Sequence, residues 1–139
     1  MKRFFTTILF CVFAINANAT DMDLPIRGVA DGDTIKSTLK IPCPLCMISV
    51  RIRGIDTPES NFLAKCAKEK QLGLQAKDFL ISITKGHDEM KVKDVKWDKY
   101  GGRIDGTIVI NDIDIGQEMI RLGLAKPYTG KGPKPNWCK

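Results

Sequence analysis

The most strongly patterned stretch of the chain is Ile48-Ser49-Val50-Arg51-Ile52-Arg53-Gly54-Ile55-Asp56-Thr57-Pro58-Glu59. Its first half alternates: apolar side chains fall on one face and Ser49, Arg51 and Arg53 on the other. This alternation predicts a half-buried strand that carries two arginines on its polar face. The second half is a proline turn that bears two carboxylates, Asp56 and Glu59, three residues apart.

A strand that delivers a guanidinium group beside two carboxylates suits phosphate chemistry. Arginine binds phosphate oxygens through two parallel hydrogen bonds, a carboxylate can hold a metal ion, and a second carboxylate can accept a proton from water. Taken singly, a solvated arginine and an Asp-x-Pro turn are ordinary structural features. Their combination is what indicates a site.

Upstream of this stretch the sequence predicts a hairpin and a loop. Two short apolar runs between Leu24 and Ser37 flank Asp31-Gly32-Asp33, and an Asp-Gly pair in that position is a strong hairpin signal. Asp33 is either a turn residue or an oxygen ligand for a hard cation. Residues 40–47 contain two prolines and two cysteines, which predicts a loop.

Downstream, apolar spacing and turn residues predict four more elements. They are a helix over 63–84, a strand over 90–97 with a one-residue slip typical of a bulge, a strand over 104–110, and a short helix capped by Asp114 and ending at Leu122. The order β-β-β-α-β-β-α predicts an α+β domain built on an antiparallel barrel, followed by an irregular tail from Thr129. Trp97 and Trp137 are predicted to be packing residues.

The chain has 139 residues, 22 basic and 16 acidic side chains, five cysteines and one histidine, His87. This length argues for one domain. A single histidine excludes paired-imidazole cleavage of RNA and a multi-histidine zinc site. The chemistry must therefore rest on carboxylates, arginines or thiols.

Residues 1–19 have the pattern of a secretory signal. Lys2 and Arg3 precede an apolar stretch too short to span a bilayer, and Ala17-Asn18-Ala19 is a cleavage site of the A-x-A type. A lipoprotein anchor on Cys11 is the alternative, but the bulky Phe10 disfavours it. We therefore expect cleavage after Ala19, a mature domain over 20–139, a secreted or periplasmic location and no stable membrane association. The mature domain would carry 20 basic and 16 acidic residues, a net charge of +4.

Four cysteines lie in the mature region, and an even number in an exported chain suggests two disulfides. Cys43 and Cys46 form a C-x-x-C motif that could be a redox pair, half a zinc site or a local disulfide. Redox motifs of this type open a helix after a strand, whereas this one lies in a proline loop, so a local disulfide is preferred. Cys66 and Cys138 remain as the second pair.

Four motifs in order resemble the thermonuclease (staphylococcal nuclease-like) family, and the resemblance extends from Ile26 to Tyr128. The motifs are Asp31-Gly32-Asp33-Thr34, Arg51 through Asp56-Thr57-Pro58-Glu59, Asp98-Lys99-Tyr100-Gly101-Gly102-Arg103, and Gly123-Leu124-Ala125-Lys126. The resemblance implies a five-stranded OB-fold-type antiparallel barrel with two helices. It also implies calcium-dependent endonuclease activity on DNA and RNA, with little sequence specificity and with 3′-phosphate products.

The resemblance also implies roles for individual residues. Asp33, Asp56 and the Thr57 carbonyl match ligands of one calcium ion, and Glu59 matches the general base. Arg51 and Arg103 match the pair that binds the scissile phosphate.

Further residues match positions that contact the nucleotide, namely Lys99 and Tyr100, while Tyr128 lies near such a position. The extra glycine Gly102 could shift the register of Arg103. We expect a monomer. The alternatives are a non-catalytic barrel that binds nucleic acid or another polyanion, and a thiol redox protein.

Overall fold

The computed structural model describes residues 20–39, 46–99 and 101–139. Within these residues the chain forms nine strands and two helices. In chain order they are β1 (Met22–Pro25), β2 (Gly28–Asp31), β3 (Thr34–Thr38), β4 (Met47–Ile52), β5 (Ile55–Asp56), α1 (Ala67–Thr84), β6 (Glu89–Trp97), β7 (Arg103–Ile110), β8 (Ile113–Asp114), α2 (Ile115–Arg121) and β9 (Lys126–Pro127). The predicted signal segment and most of the predicted loop, residues 40–45, lie outside the described residues.

Seven strands form one sheet in the order β1-β6-β7-β4-β3-β2, with β8 paired to β7, while β5 and β9 form a separate two-stranded sheet. The larger sheet is barrel-like but not closed. The predicted α+β class of the OB-fold type is confirmed. One pair differs from the antiparallel prediction, because β4 and β7 run parallel. Parallel neighbours need a long crossover, and α1 with β6 supplies it.

One hydrophobic core lies between the sheet and α1. The alternating side chains of β4 and β7 point into it, as the period of two predicts, and α1 adds Ala76 and Leu80. The most deeply buried large side chains are Leu24, Ile35, Ile52, Leu80, Met90, Ile104, Ile108, Ile110, Ile115 and Met119. The opposite faces of β3, β4 and β7 are left to carry polar groups.

The β2–β3 hairpin turns at Gly32 and Asp33, as predicted. Gly32 is buried, and a Cβ atom there would lie 3.1 Å from Thr57 Oγ1 and 3.2 Å from Ala76 Cβ. A glycine at this position therefore favours close packing of the hairpin tip against the Thr57 turn and α1. This close approach brings Asp33 beside the proline turn.

The predicted bulge in β6 is confirmed by a register shift against β7 between Lys93 and Lys96. Asp94 within it adopts a positive φ of 53°. The Asp94 carbonyl accepts a hydrogen bond of 2.6 Å from Arg53 Nη2, which links the bulge to the end of β4. The expectation that Trp97 packs is wrong, because 62% of this side chain is exposed at the end of β6.

Helix α1 begins at Ala67 and not, as predicted, at Leu63. A turn at Asn61 occupies the preceding residues, with the Leu63 amide donating to Asn61 Oδ1 over 2.8 Å. Cys66 then caps the helix, its sulfur accepting from the Glu69 amide. Apolar residues at helical spacing were not sufficient here, because local side-chain-to-backbone hydrogen bonds compete with the helix.

The C-terminal segment, residues 129–139, has no strand or helix, as predicted, but it is anchored at both ends. Before it, β9 pairs with β5, and the Tyr128 amide donates to the Gly54 carbonyl. At its far end Cys138 forms a disulfide with Cys66, with a Cα–Cα distance of 6.0 Å. In the described ranges no helix is long and apolar enough to cross a membrane.

Candidate active site

A polar cleft of about 260 Å³ opens where the β2–β3 hairpin, β4, the start of β7 and the proline turn meet. It contains five of the residues that the sequence predicted for the site, together with three that it did not. The lining residues are Asp31, Asp33, Thr34, Arg51, Thr57, Glu59, Arg103 and Lys134.

Asp33 and Arg51 are brought together by the register of β3 and β4. Thr34 lies opposite Arg51, and the Ile52 amide donates to the Asp33 carbonyl. Arg51 Nε lies 3.2 Å from Asp33 Oδ2, while Asp33 Oδ1 accepts a 2.7 Å hydrogen bond from Thr34 Oγ1. Both carboxylate oxygens of Asp33 therefore contact protein groups.

Arg103 reaches the cleft from the parallel pairing of β7 with β4, in which it lies opposite Ser49. Gly101 and Gly102 both adopt positive φ angles in the preceding turn. The turn therefore accommodates the extra glycine, Gly102, before β7 begins at Arg103. The guanidinium group is held by Asp98, to which both Nε and Nη2 donate. The side chain is 36% exposed and still lines the cleft beside Arg51.

Glu59 lies in a turn whose backbone packs directly on α1. Thr57 and Pro58 before it are buried, and a Cβ atom added to Gly73 of α1 would lie 2.4 Å from the Glu59 carbonyl oxygen. The next residue, Ser60, donates to Asp31 Oδ1 over 2.8 Å, which ties the turn to the hairpin. These contacts fix the backbone, and the Glu59 carboxylate remains 26% exposed to the cleft.

Asp56 is only 2% exposed, and both of its oxygens face the C-terminal segment. Trp137 Nε1 donates to Oδ2 over 3.0 Å, and Lys134 Nζ lies 3.2 Å from Oδ1. Asp56 is absent from the described lining of the cleft. Lys134 connects Asp56 to the cleft, because it lines the cleft and also contacts the Asp56 carboxylate.

Lys134 joins the two carboxylates of the proline turn, because its ammonium group also lies 3.5 Å from Glu59 Oε1. Partial burial acts to lower the pKa of Lys134, but the carboxylates of Asp56 and Glu59 outweigh it and raise that pKa above its ordinary value. Sequence reasoning missed this residue. It lies in a segment rich in glycine, proline and lysine, and no spacing rule connects it to Asp56.

The residues predicted to hold calcium have the right chemistry for a hard cation, since carboxylate and carbonyl oxygens are its preferred ligands. Asp56 Oδ1 is buried, and a buried carboxylate oxygen needs a positive charge or a donor beside it. Lys134 supplies such a charge. Asp33, Asp56 and Thr57 thus offer oxygen atoms of the type that a hard cation binds, and Lys134 lies at one of the same carboxylates.

The residues predicted to contact the nucleotide are more dispersed. Tyr128 lines a second cleft of about 320 Å³, which shares Arg51 and Lys134 with the first. Its hydroxyl donates to the Gly132 carbonyl over 2.9 Å. Lys99 is exposed in the β6–β7 turn, and Tyr100 lies outside the described residues.

The cysteines are oxidised wherever they are described. Besides the bond between Cys66 and Cys138, Cys46 is in a disulfide, and its expected partner Cys43 lies outside the described residues. Glu69 lies close to Cys66 and Cys138, a grouping that could suggest a metal site. Thiolates are the metal ligands, and the disulfide removes both of them.

The chain matches the family described as staphylococcal nuclease homologue over residues 49–136. A probable endonuclease of Schizosaccharomyces pombe (strain 972) is 35% identical over 102 residues, which cover 66% of this chain and 43% of that protein. A probable staphylococcal-like nuclease of Oryza sativa subsp. japonica is 31% identical over 90 residues, covering 65% of this chain and 24% of that protein. The chain thus spans less than half the length of either relative.

Proposed function

The chain belongs to the staphylococcal nuclease homologue family, and on this premise we propose that it is a calcium-dependent endonuclease of DNA and RNA. The observation that carries the proposal is the cleft itself, in which Arg51 and Arg103 from neighbouring strands face Glu59 of the proline turn. The products would carry 3′-phosphates.

The two arginines would neutralise the phosphate. A nucleophile that attacks a phosphodiester approaches an anion, so catalysis must stabilise negative charge and hold the reacting groups in place. A guanidinium group can donate two parallel hydrogen bonds to phosphate oxygens. Arg51 is held beside Asp33 and Arg103 beside Asp98, so both positive charges are placed before the substrate arrives.

Glu59 would accept the proton of the attacking water. Carboxylates are ionised at neutral pH, and this one has a backbone fixed by α1 and a side chain partly open to the cleft. The neutral amide of a glutamine could hold the same position but could not take the proton.

Asp33, Asp56 and the Thr57 carbonyl would hold the calcium ion. When bound, the ion would supply positive charge against the phosphate and lower the pKa of a coordinated water. Asp33 also orients Arg51, so the same carboxylate would place a cation ligand and a phosphate-binding group.

Binding would be directed at the backbone of the nucleic acid and would tolerate many sequences. Arg51, Arg53 and Lys134 line the adjoining cleft next to Tyr128, whose ring could contact a base. Lys99, in the β6–β7 turn, and Tyr100 would contact the nucleotide. Binding through phosphate contacts weakens as salt increases.

We also propose that the protein is exported as a monomer to the periplasm or the medium, after cleavage of residues 1–19. The disulfides of Cys46 and of Cys66 with Cys138 support this location, because oxidising compartments favour them.

The test is cleavage of duplex DNA and of single-stranded RNA by the purified protein, with calcium or with a chelator in excess. We expect cleavage of both substrates that requires calcium. If the protein binds these substrates without cutting them under either condition, it is a binding module and the proposal is wrong.

A further inference from the structure

The C-terminal segment places an ammonium group on the carboxylates that the proposed reaction needs. Lys134 Nζ lies 3.2 Å from Asp56 Oδ1 and 3.5 Å from Glu59 Oε1. Trp137 Nε1 occupies the other Asp56 oxygen at 3.0 Å. Asp56 therefore interacts with two groups of the same short segment.

Other contacts of the C-terminal segment fix the position of Lys134. Trp137 is only 6% exposed, and the neighbouring Cys138 is bonded to Cys66. Lys126 Nζ lies 4.3 Å from the centre of the Trp137 ring and donates to the Asn136 carbonyl. These contacts hold the backbone after Lys134, and the Tyr128 hydroxyl, which donates to the Gly132 carbonyl, holds the backbone before it. The Lys134 side chain is 49% exposed and can swing towards solvent.

We propose that Lys134 is a resident cation of the site: its ammonium group competes with the divalent cation for Asp56 and so sets the affinity for that cation. The inference rests on the proposed function, because it assigns Asp56 to the cation. The inference goes beyond that function, because it makes Lys134 of the C-terminal segment the residue that controls when the divalent cation binds.

The competition follows from charge and space. A divalent cation and an ammonium group repel one another, and both require Asp56 Oδ1, so Lys134 must withdraw before the ion can use that oxygen. The fraction of molecules with Asp56 accessible therefore limits the apparent affinity.

The same withdrawal affects Glu59. While Lys134 lies beside Glu59, the ammonium group occupies the space next to the carboxylate. Loading the cation would release Lys134 from both carboxylates at once. Lys134 is thereby a positioning residue that couples cation binding to the exposure of the general base.

The experiment is a calorimetric titration of the purified protein with calcium chloride alone, without nucleic acid. Lys134→Gln removes the ammonium group, and Lys131→Gln is the matched control, because it removes the same charge from an exposed position of the same segment. Lys134→Arg keeps a positive charge at the site.

We expect Lys134→Gln to bind calcium about 10-fold more tightly than the wild type. Lys131→Gln and Lys134→Arg should stay within about threefold of the wild type. Equal affinity of the wild type and Lys134→Gln, an equal gain in Lys131→Gln, or no calcium binding by any of the proteins would overturn the inference.

These outcomes are separate from those of the cleavage assay. A protein that cuts nucleic acid but shows no change in calcium affinity in Lys134→Gln retains the proposed function and loses this inference. A protein that binds calcium more tightly after the substitution but never cuts retains the inference about Lys134 and loses the nuclease assignment.

Discussion

The sheet and the C-terminal segment both deliver positively charged groups to the same cleft, but they position those groups by different means. Arg51 and Arg103 are held by the hydrogen-bonded register of β3, β4 and β7. Lys134 and Trp137 lie in a segment without a strand or helix, held by a disulfide and by side-chain contacts. The cleft thus combines a sheet that is held by many backbone hydrogen bonds with a C-terminal segment that is held by few contacts.

This difference indicates which region can be altered without loss of the other. Each strand pair in the sheet shares its stabilisation over several backbone hydrogen bonds and a common core. The segment depends on one covalent bond, one buried tryptophan and a few side-chain contacts. Changes in the segment should therefore change cation binding while the sheet remains folded, and changes to the phosphate-binding arginines should slow cleavage while the segment stays in place.

The largest effect is expected from cutting the segment free. Replacing Cys66 and Cys138 together by serine removes a loop closure of 72 residues, which is worth roughly 4 kcal/mol of unfolding free energy in the chain-entropy model. Urea unfolding of the variant and of the oxidised wild type measures the loss. An unchanged midpoint would mean that the segment is held by its other contacts.

The next effect concerns the sheet. Arg51→Ala should lower the rate of DNA cleavage by about 10²- to 10³-fold, because it removes a positive charge that faces the phosphate. Arg121→Ala, on the exposed face of α2, is the control and should cleave at the wild-type rate. Cleavage by the Arg51 variant at the rate of this control would remove Arg51 from the mechanism.

A smaller effect is expected where the segment meets Asp56. Trp137→Phe keeps an aromatic ring but loses the hydrogen bond from Nε1 to a buried carboxylate, which should cost about 2 kcal/mol. Trp97→Phe is the matched control, since this side chain is mostly exposed and should change stability little. Equal losses in both variants, measured by urea unfolding, would contradict the assigned bond.

The smallest effect should arise at the contact between α1 and the proline turn. Gly73→Ala places a methyl group against the Glu59 backbone, so we expect about 1 kcal/mol of destabilisation after the gain in helix propensity, and about tenfold slower cleavage. Gln75→Ala, an exposed position of the same helix, controls for propensity alone. Faster or unchanged cleavage in the Gly73 variant would show that this packing does not position Glu59.

The sheet was the more predictable of the two regions. The period of two in β4 and β7 follows from one face being buried, and the Asp-Gly turn follows from backbone geometry, so both could be predicted locally. The α1 start was misplaced because the turn at Asn61 competes with the helix. The parallel β4–β7 pair depends on the path of the crossover between the two strands. Hydrophobic periodicity gives no information about that path.

The contacts of the C-terminal segment could not be predicted in this way. Lys134 and Trp137 reach Asp56 across about eighty positions of sequence, as the separation of 81 between Trp137 and Asp56 illustrates. Their placement depends on a disulfide and on β9, and a segment of glycine, proline and lysine carries no periodic signal. Trp97 shows the opposite error, since its apolar character suggested packing but its position at the end of β6 leaves it exposed.

The most direct test of the account is the rate of DNA cleavage in calcium by Glu59→Gln, measured beside the wild type. Glu118→Gln, the same chemical change on α2, is the control. We predict that Glu59→Gln folds normally and cleaves about 10²- to 10³-fold more slowly, while Glu118→Gln matches the wild type. Hydrolysis by Glu59→Gln at close to the wild-type rate would contradict the claim that this cleft, with Glu59 as its base, is the catalytic site.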